Sequence, residues 1–99
     1  MRPIHTAQLD KVRPVLILTR ELVRPHLTRV TVAPITTTIR GLSTEVLVGT
    51  SNGLDQASAI SCDNLVTVLS SALGRQIGYL FPEQEAELAD AIRTAFDLV

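Results

Sequence analysis

Until its last fifth this sequence contains no apolar run longer than a strand, and turn residues interrupt those runs at short intervals. That spacing constrains the fold more than any composition figure does. Runs of roughly four to eight residues cross a small domain as strands and are too short for helices. "IHTAQL" at 4–9 alternates loosely, and "PVLILT" at 14–19 is a continuous buried run. "RVTVAPITTT" at 29–38 alternates Val30 and Val32 with Arg29, Thr31 and Ala33 in a β-branched stretch. "TEVLV" at 44–48, "SAIS" at 58–61 and "LVTVLS" at 65–70 add three further strands. Turn signals at "RG" (40) and "TSNG" (50) join them into an expected antiparallel meander that closes as a barrel.

The end of the chain changes period. Pro82 opens a helix with Glu83 and Glu85 near the positive end of its dipole. Leu88, Ile92, Ala95, Phe96 and Val99 form an apolar stripe expected to pack on the barrel. The chain is thus expected to be mainly β with a C-terminal α-helix, one domain over residues 1–99. With Tyr79, Phe81 and Phe96 as its only aromatics, the core is aliphatic and marginal for this size, so a partner subunit would help.

Charge divides the molecule in two. Residues 1–40 carry Arg2, Lys11, Arg13, Arg20, Arg24, Arg29 and Arg40 against Asp10 and Glu21, a balance of +5, and the remainder carries −6. Such asymmetry points to a face for a polyanion, set against the plainer reading of scattered surface arginines. No apolar run approaches the ~18 residues of a membrane span, and no export signal follows Met1, so the expectation is a cytoplasmic protein. The lone Cys62 has no disulfide or zinc partner and is expected to be a small buried residue.

Most enzyme motifs are absent: there is no GxSxG, HExxH, Walker loop or GxGxxG. Glu83 and Glu87 share a helical face without a histidine and read as solvated acids. His5 and His26 have no acidic or cysteine companion at ligand spacing, so no metal and no cofactor is expected. Arg13 is the residue that asks for a function. Pro14 removes a ladder donor and biases Arg13 toward an extended backbone, which mounts a fork-shaped donor where a loop becomes a stiff strand. In "APITTT", Pro34 implies an edge or bulge, and Thr36, Thr37 and Thr38 alternate faces; which one shares a groove with Arg13 depends on register.

"VRPVLIL", "VAPITTT", "SAISCDN" and "LGRQIGYL" ahead of the striped helix together resemble the MazF/PemK-like endoribonuclease toxins of toxin-antitoxin modules, and look most like the mycobacterial members. The resemblance runs along essentially the whole chain. It implies a small SH3-like antiparallel β-barrel of the MazF, Kid and CcdB type, forming a homodimer with RNA in a groove at the subunit interface. It implies metal-independent, sequence-selective cleavage of single-stranded RNA through attack by the 2′-hydroxyl, and a cognate antitoxin whose acidic tail fits the same groove. The family's RPV arginine falls on Arg13 and its threonine after isoleucine on Thr36; positions near the substrate match Ser58, Asp63 and Asn64.

Physical chemistry limits these roles. Arg13 suits a phosphate clamp and a general acid, with Thr36 orienting the phosphate, but a guanidinium is a poor base at neutral pH. The base stays open between Asp63, a water and none. Members of the family carry a longer loop before this arginine; here "DK" is almost the whole connection, so Lys11, Arg20 or the "LVRPHLTR" segment would take over its RNA contacts, and Thr37 is a further expected RNA-binding residue. Scarce aromatics leave phosphate contacts and base-edge hydrogen bonds rather than stacking. The rival expectation is a non-catalytic CcdB-like barrel that inhibits a protein such as gyrase, for which Arg13 and Thr36 would be dispensable and the terminal "AFDLV" would matter.

Overall fold

The computed structural model describes residues 1–99 as a curled antiparallel sheet with one helix packed on it. Its strands are β1 (Arg2–Gln8), β2 (Val12–Ile17), β3 (Arg29–Thr36), β4 (Glu45–Val48), β5 (Ser58–Ser61), β6 (Val66–Leu69) and β7 (Leu73–Leu80), followed by α1 (Glu85–Ala95). The order across the sheet is β4-β5-β3-β2-β1-β7, and β6 also pairs with β3. No ladder joins β4 to β7, so the barrel stays half open.

The expected meander holds for β1, β2 and β3 and again for the β4–β5 pair. Beyond them, β5 and β6 both return to β3, and β7 pairs with β1. The cause lies in β3, whose second edge serves β6 from Arg29 to Val32 and β5 at Ile35 and Thr36. Between those two stretches stands Pro34, which has no N–H to give a ladder and marks the change of partner. β7 was not among the expected strands. Its glycines and its polar Arg75 and Gln76 hide the alternation, and two register shifts against β1 break it further.

β2 reads as continuously apolar because both of its faces are covered. Leu16 belongs to a core of twelve buried residues that includes Ile4, Ala33, Ile35, Val46, Ile60, Cys62, Leu80, Leu88 and Ala91. Val15 and Ile17 turn the other way, into a smaller core with Ala7, Val30 and Val32. Ala33, expected to alternate outward, is fully buried in the larger core.

Pro82 begins a single 3-10 turn, Pro82–Gln84, and α1 continues from it. Leu88 and Ala91 are buried and Ile92 and Ala95 pack against the same core. The expected stripe stops there: Phe96 is 55% exposed and Val99 is free. Asp97 adopts a left-handed φ of 58°, which ends the helical period before those side chains can reach the sheet. The loop after β4 is tied down separately. Buried Asn52 donates from Nδ2 to the Tyr79 carbonyl (2.9 Å) and to Gln84 Oε1 (2.8 Å), and its Oδ1 accepts the Gly49 N–H (3.2 Å).

Candidate active site

The connection between β1 and β2 is three residues, Leu9 to Lys11, and it places Asp10 directly before the strand that carries Arg13. Arg13 Nε donates to Asp10 Oδ1 at 2.8 Å and Nη2 donates to Oδ2 at 3.0 Å. This bidentate fork fixes the plane of the guanidinium. Asp10 is held well below the usual carboxylate range, chiefly by the hydrogen bonds from Arg13, and Arg13 is raised in turn. Three of the five guanidinium N–H groups remain available to a ligand.

β2 and β3 pair as Val15 with Pro34, Leu16 with Ala33 and Ile17 with Val32. Continued by two residues, that register sets Thr36 across from Arg13. Both side chains line one cavity of about 590 Å³, together with Asp10, Thr38, Arg40, Glu45, Ser61, Asp63 and Asn64. Thr36 Oγ1 accepts the Thr38 N–H at 3.0 Å, a short local turn that leaves the hydroxyl hydrogen free to donate into the cavity. Asp63 accepts a hydrogen bond from Thr44 Oγ1 at 2.5 Å, and Asn64 Nδ2 donates to Ser61 Oγ at 2.8 Å. Glu45 accepts from the N–H groups of Arg40 and Leu42 and so shapes the loop carrying Arg40, whose guanidinium forms no ion pair.

Arg13 also borders a second cavity, of about 510 Å³, on its other side. Thr37 and Ser58 line this one, so the three threonines divide as their alternation requires: Thr36 and Thr38 on one side of Arg13 and Thr37 on the other. Ser58 is buried and its hydroxyl donates to the Gln56 carbonyl at 3.0 Å, which shapes the loop rather than offering a hydrogen to a ligand. Lys11 is exposed in the β1–β2 turn and lines neither cavity. Arg20 lies beyond the far end of β2, in a separate concavity with Arg2, Arg24 and Glu85.

The structure therefore gathers Arg13, Thr36, Asp63 and Asn64 around one cavity and Arg13, Thr37 and Ser58 around the next. Sequence reasoning missed Asp10, although an acid three residues ahead of an arginine across a tight turn is a readable signal. Cys62 is buried beneath this region, its thiol pushed up to about 11 by desolvation and by Asp63. No group of three or more His, Cys, Asp or Glu side chains is placed to hold a metal ion, and no helix is long and apolar enough to cross a membrane.

A family model described as "PemK-like, MazF-like toxin of type II toxin-antitoxin system" matches residues 2–96. The chain is similar to Endoribonuclease MazF3 of Mycobacterium tuberculosis, with 70% identity over 98 residues that make up 99% of this chain and 95% of that protein. It superposes on the Mycobacterium tuberculosis toxin MazF-mt6 with a TM-score of 0.98 and 69% identity, over 99% of each chain. It is also similar to an endoribonuclease in complex with its cognate antitoxin from a mycobacterial species, with a TM-score of 0.87 and 26% identity over 98% of this chain and 93% of that one.

Proposed function

Since the chain belongs to the PemK-like, MazF-like toxins of type II toxin-antitoxin systems and is an endoribonuclease of that family, we propose that Arg13, Thr36 and Asp10 form its cleavage centre. The observation that carries this reading is the convergence of a fork-shaped cation, a free hydroxyl and an ionised carboxylate on one open cavity. The substrate is single-stranded RNA, which supplies its own nucleophile.

The 2′-oxygen attacks the adjacent phosphorus, the bond to the 5′-oxygen breaks, and a 2′,3′-cyclic phosphate and a 5′-hydroxyl result. Charge accumulates on the nonbridging oxygens, where Arg13 N–H groups and the Thr36 hydroxyl donate. Asp10 takes the proton of the 2′-hydroxyl, and solvent protonates the departing 5′-oxygen. The fork keeps Asp10 ionised and on the same cavity as Arg13 and Thr36, while the three remaining Arg13 N–H groups take the phosphate. Asp63 lines the same cavity, where it accepts a hydrogen bond from Thr44.

Asn64, Asp63, Thr37 and Ser58 border the path of the RNA on either side of the clamp, and Lys11 and Arg20 contribute longer-range attraction. The protein's partner is an antitoxin; its acidic tail would meet Arg13 and Arg40 in the same groove, on a homodimer acting in the cytoplasm. The test is incubation of a diverse single-stranded RNA pool with the protein in EDTA, beside Arg13→Ala. Cleavage by the parent and its loss of ~10²-fold or more in the variant is the expected result. Cutting by Arg13→Ala at the parental rate would overturn this assignment of the centre.

A further inference from the structure

We propose that the 510 Å³ cavity beside Arg13 is a base-selecting pocket for the nucleotide next to the cut, in which Asp55 reads the base edge and Arg75 holds the next phosphate. This rests on the ribonuclease reading above and goes beyond it, because neither residue belongs to the cleavage centre.

The two residues come from adjoining walls. Asp55 sits on the loop after β4 and Arg75 on β7, and those walls are locked together at Gly53 and Gly78. A Cβ on Gly53 would collide with the Ile77 carbonyl, and one on Gly78 with the Asn52 carbonyl, so the loop backbone lies directly against the strand. Buried Asn52 secures the same contact through the Tyr79 carbonyl. A pocket wall built this way is preorganised and loses little freedom when a ligand enters.

Its charges are unspent. The ion pairs of the molecule are Arg2–Glu85, Arg13–Asp10 and Arg93–Asp90; Asp55 and Arg75 face one cavity yet form no ion pair and no side-chain hydrogen bond. The cavity falls within the size range of small-ligand sites. An ionised carboxylate only accepts, so Asp55 favours a base with an amino group on its pairing edge: cytosine, guanine or adenine. Uracil offers only its N3–H, flanked on both sides by carbonyl oxygens that repel a carboxylate, and is disfavoured. Arg75 lies two strands from Arg13, across β1, at roughly 10 Å between backbones. Two long side chains at that spacing can hold successive phosphates of a strand whose intervening base drops into the pocket.

The experiment sequences the cut ends of a randomised single-stranded RNA treated with the parent protein, Asp55→Asn, Arg75→Gln and Arg13→Ala. KM is then measured at several salt concentrations on an oligonucleotide carrying the preferred site. Asp55→Asn, whose amide can also donate, should keep cutting while discrimination against uracil falls about tenfold at one position beside the break. Arg75→Gln should raise KM on every sequence and flatten its salt dependence by about one ionic contact, with the sequence preference and melting temperature unchanged. If the parent cuts, Arg13→Ala does not, and Asp55→Asn gives the parental profile at every position, the pocket assignment is wrong while the cleavage centre stands. If the parent cuts nothing, both fall.

Discussion

Arg13 gives two of its five N–H groups to Asp10 and is one-third exposed, so its geometry is set by a neighbour rather than by burial. A lysine keeps the charge but not the planar fork. Arg13→Lys should therefore lose most of the cleavage rate, in single-turnover assays, while retaining much of the RNA affinity. The carboxylate partner makes a separate prediction about pH. Asp10 is depressed below its ordinary 3.8, so its share of stability is fully present above about pH 4 and is lost only as pH falls through its lower folded value. Carbon-detected NMR titration should find Asp10 still ionised at pH 3.8 in the parent and half protonated near that value in Arg13→Ala. Ordinary titration of Asp10 in the parent would mean that the fork does not persist in solution.

At the scale of elements, the contact between the loop after β4 and β7 divides the glycines into two kinds. Gly41 has φ of 74° and open space around it, so Gly41→Ala should cost only the left-handed backbone penalty of about 1 kcal/mol. At Gly78 the obstacle is the Asn52 backbone, which cannot rotate away, and Gly78→Ala should cost roughly 3 kcal/mol or more in urea unfolding. Equal effects would refute the packing described here. The same contact explains why parts of the fold were hard to read from sequence. β2 and β3 were legible because aliphatic and β-branched residues repeat in them with strand period. β7 was not, because Gly78 is required by the Asn52 backbone, distant in sequence, and only that tertiary approach gives it meaning. Arg13 and Thr36 came from the family resemblance, with Pro14 giving a physical ground for Arg13 alone; which threonine shares a cavity with Arg13 depended on a register the sequence left open. Asp10 passed for a linker residue because its role depends on how tightly the chain turns between β1 and β2. The helix was legible up to Ala95 and misread at Phe96, since a periodicity argument cannot sense the left-handed turn at Asp97.

For the whole molecule the question is what covers its surplus surface. A monomer of 10.7 kDa should expose about 5,500 Å² by the usual size scaling, and this chain exposes 6035 Å². Val12, Leu47, Leu69, Phe96 and Leu98 are each at least half exposed, and the aliphatic core leaves little stability in reserve. Association of two copies would remove such surface from water and bring two basic N-terminal halves into one particle, which strengthens the pull on a polyanion as it lengthens the groove. A coupled dimer unfolds with a midpoint that depends on protein concentration, by about 1.4 kcal/mol of dimer stability per tenfold dilution. Calorimetry across a hundredfold concentration range should accordingly show Tm rising by several degrees. A Tm independent of concentration, with sedimentation at the mass of one chain, would leave each proposed cleavage centre to act alone, and RNA binding would then have to be explained from the two cavities beside Arg13 without a second subunit.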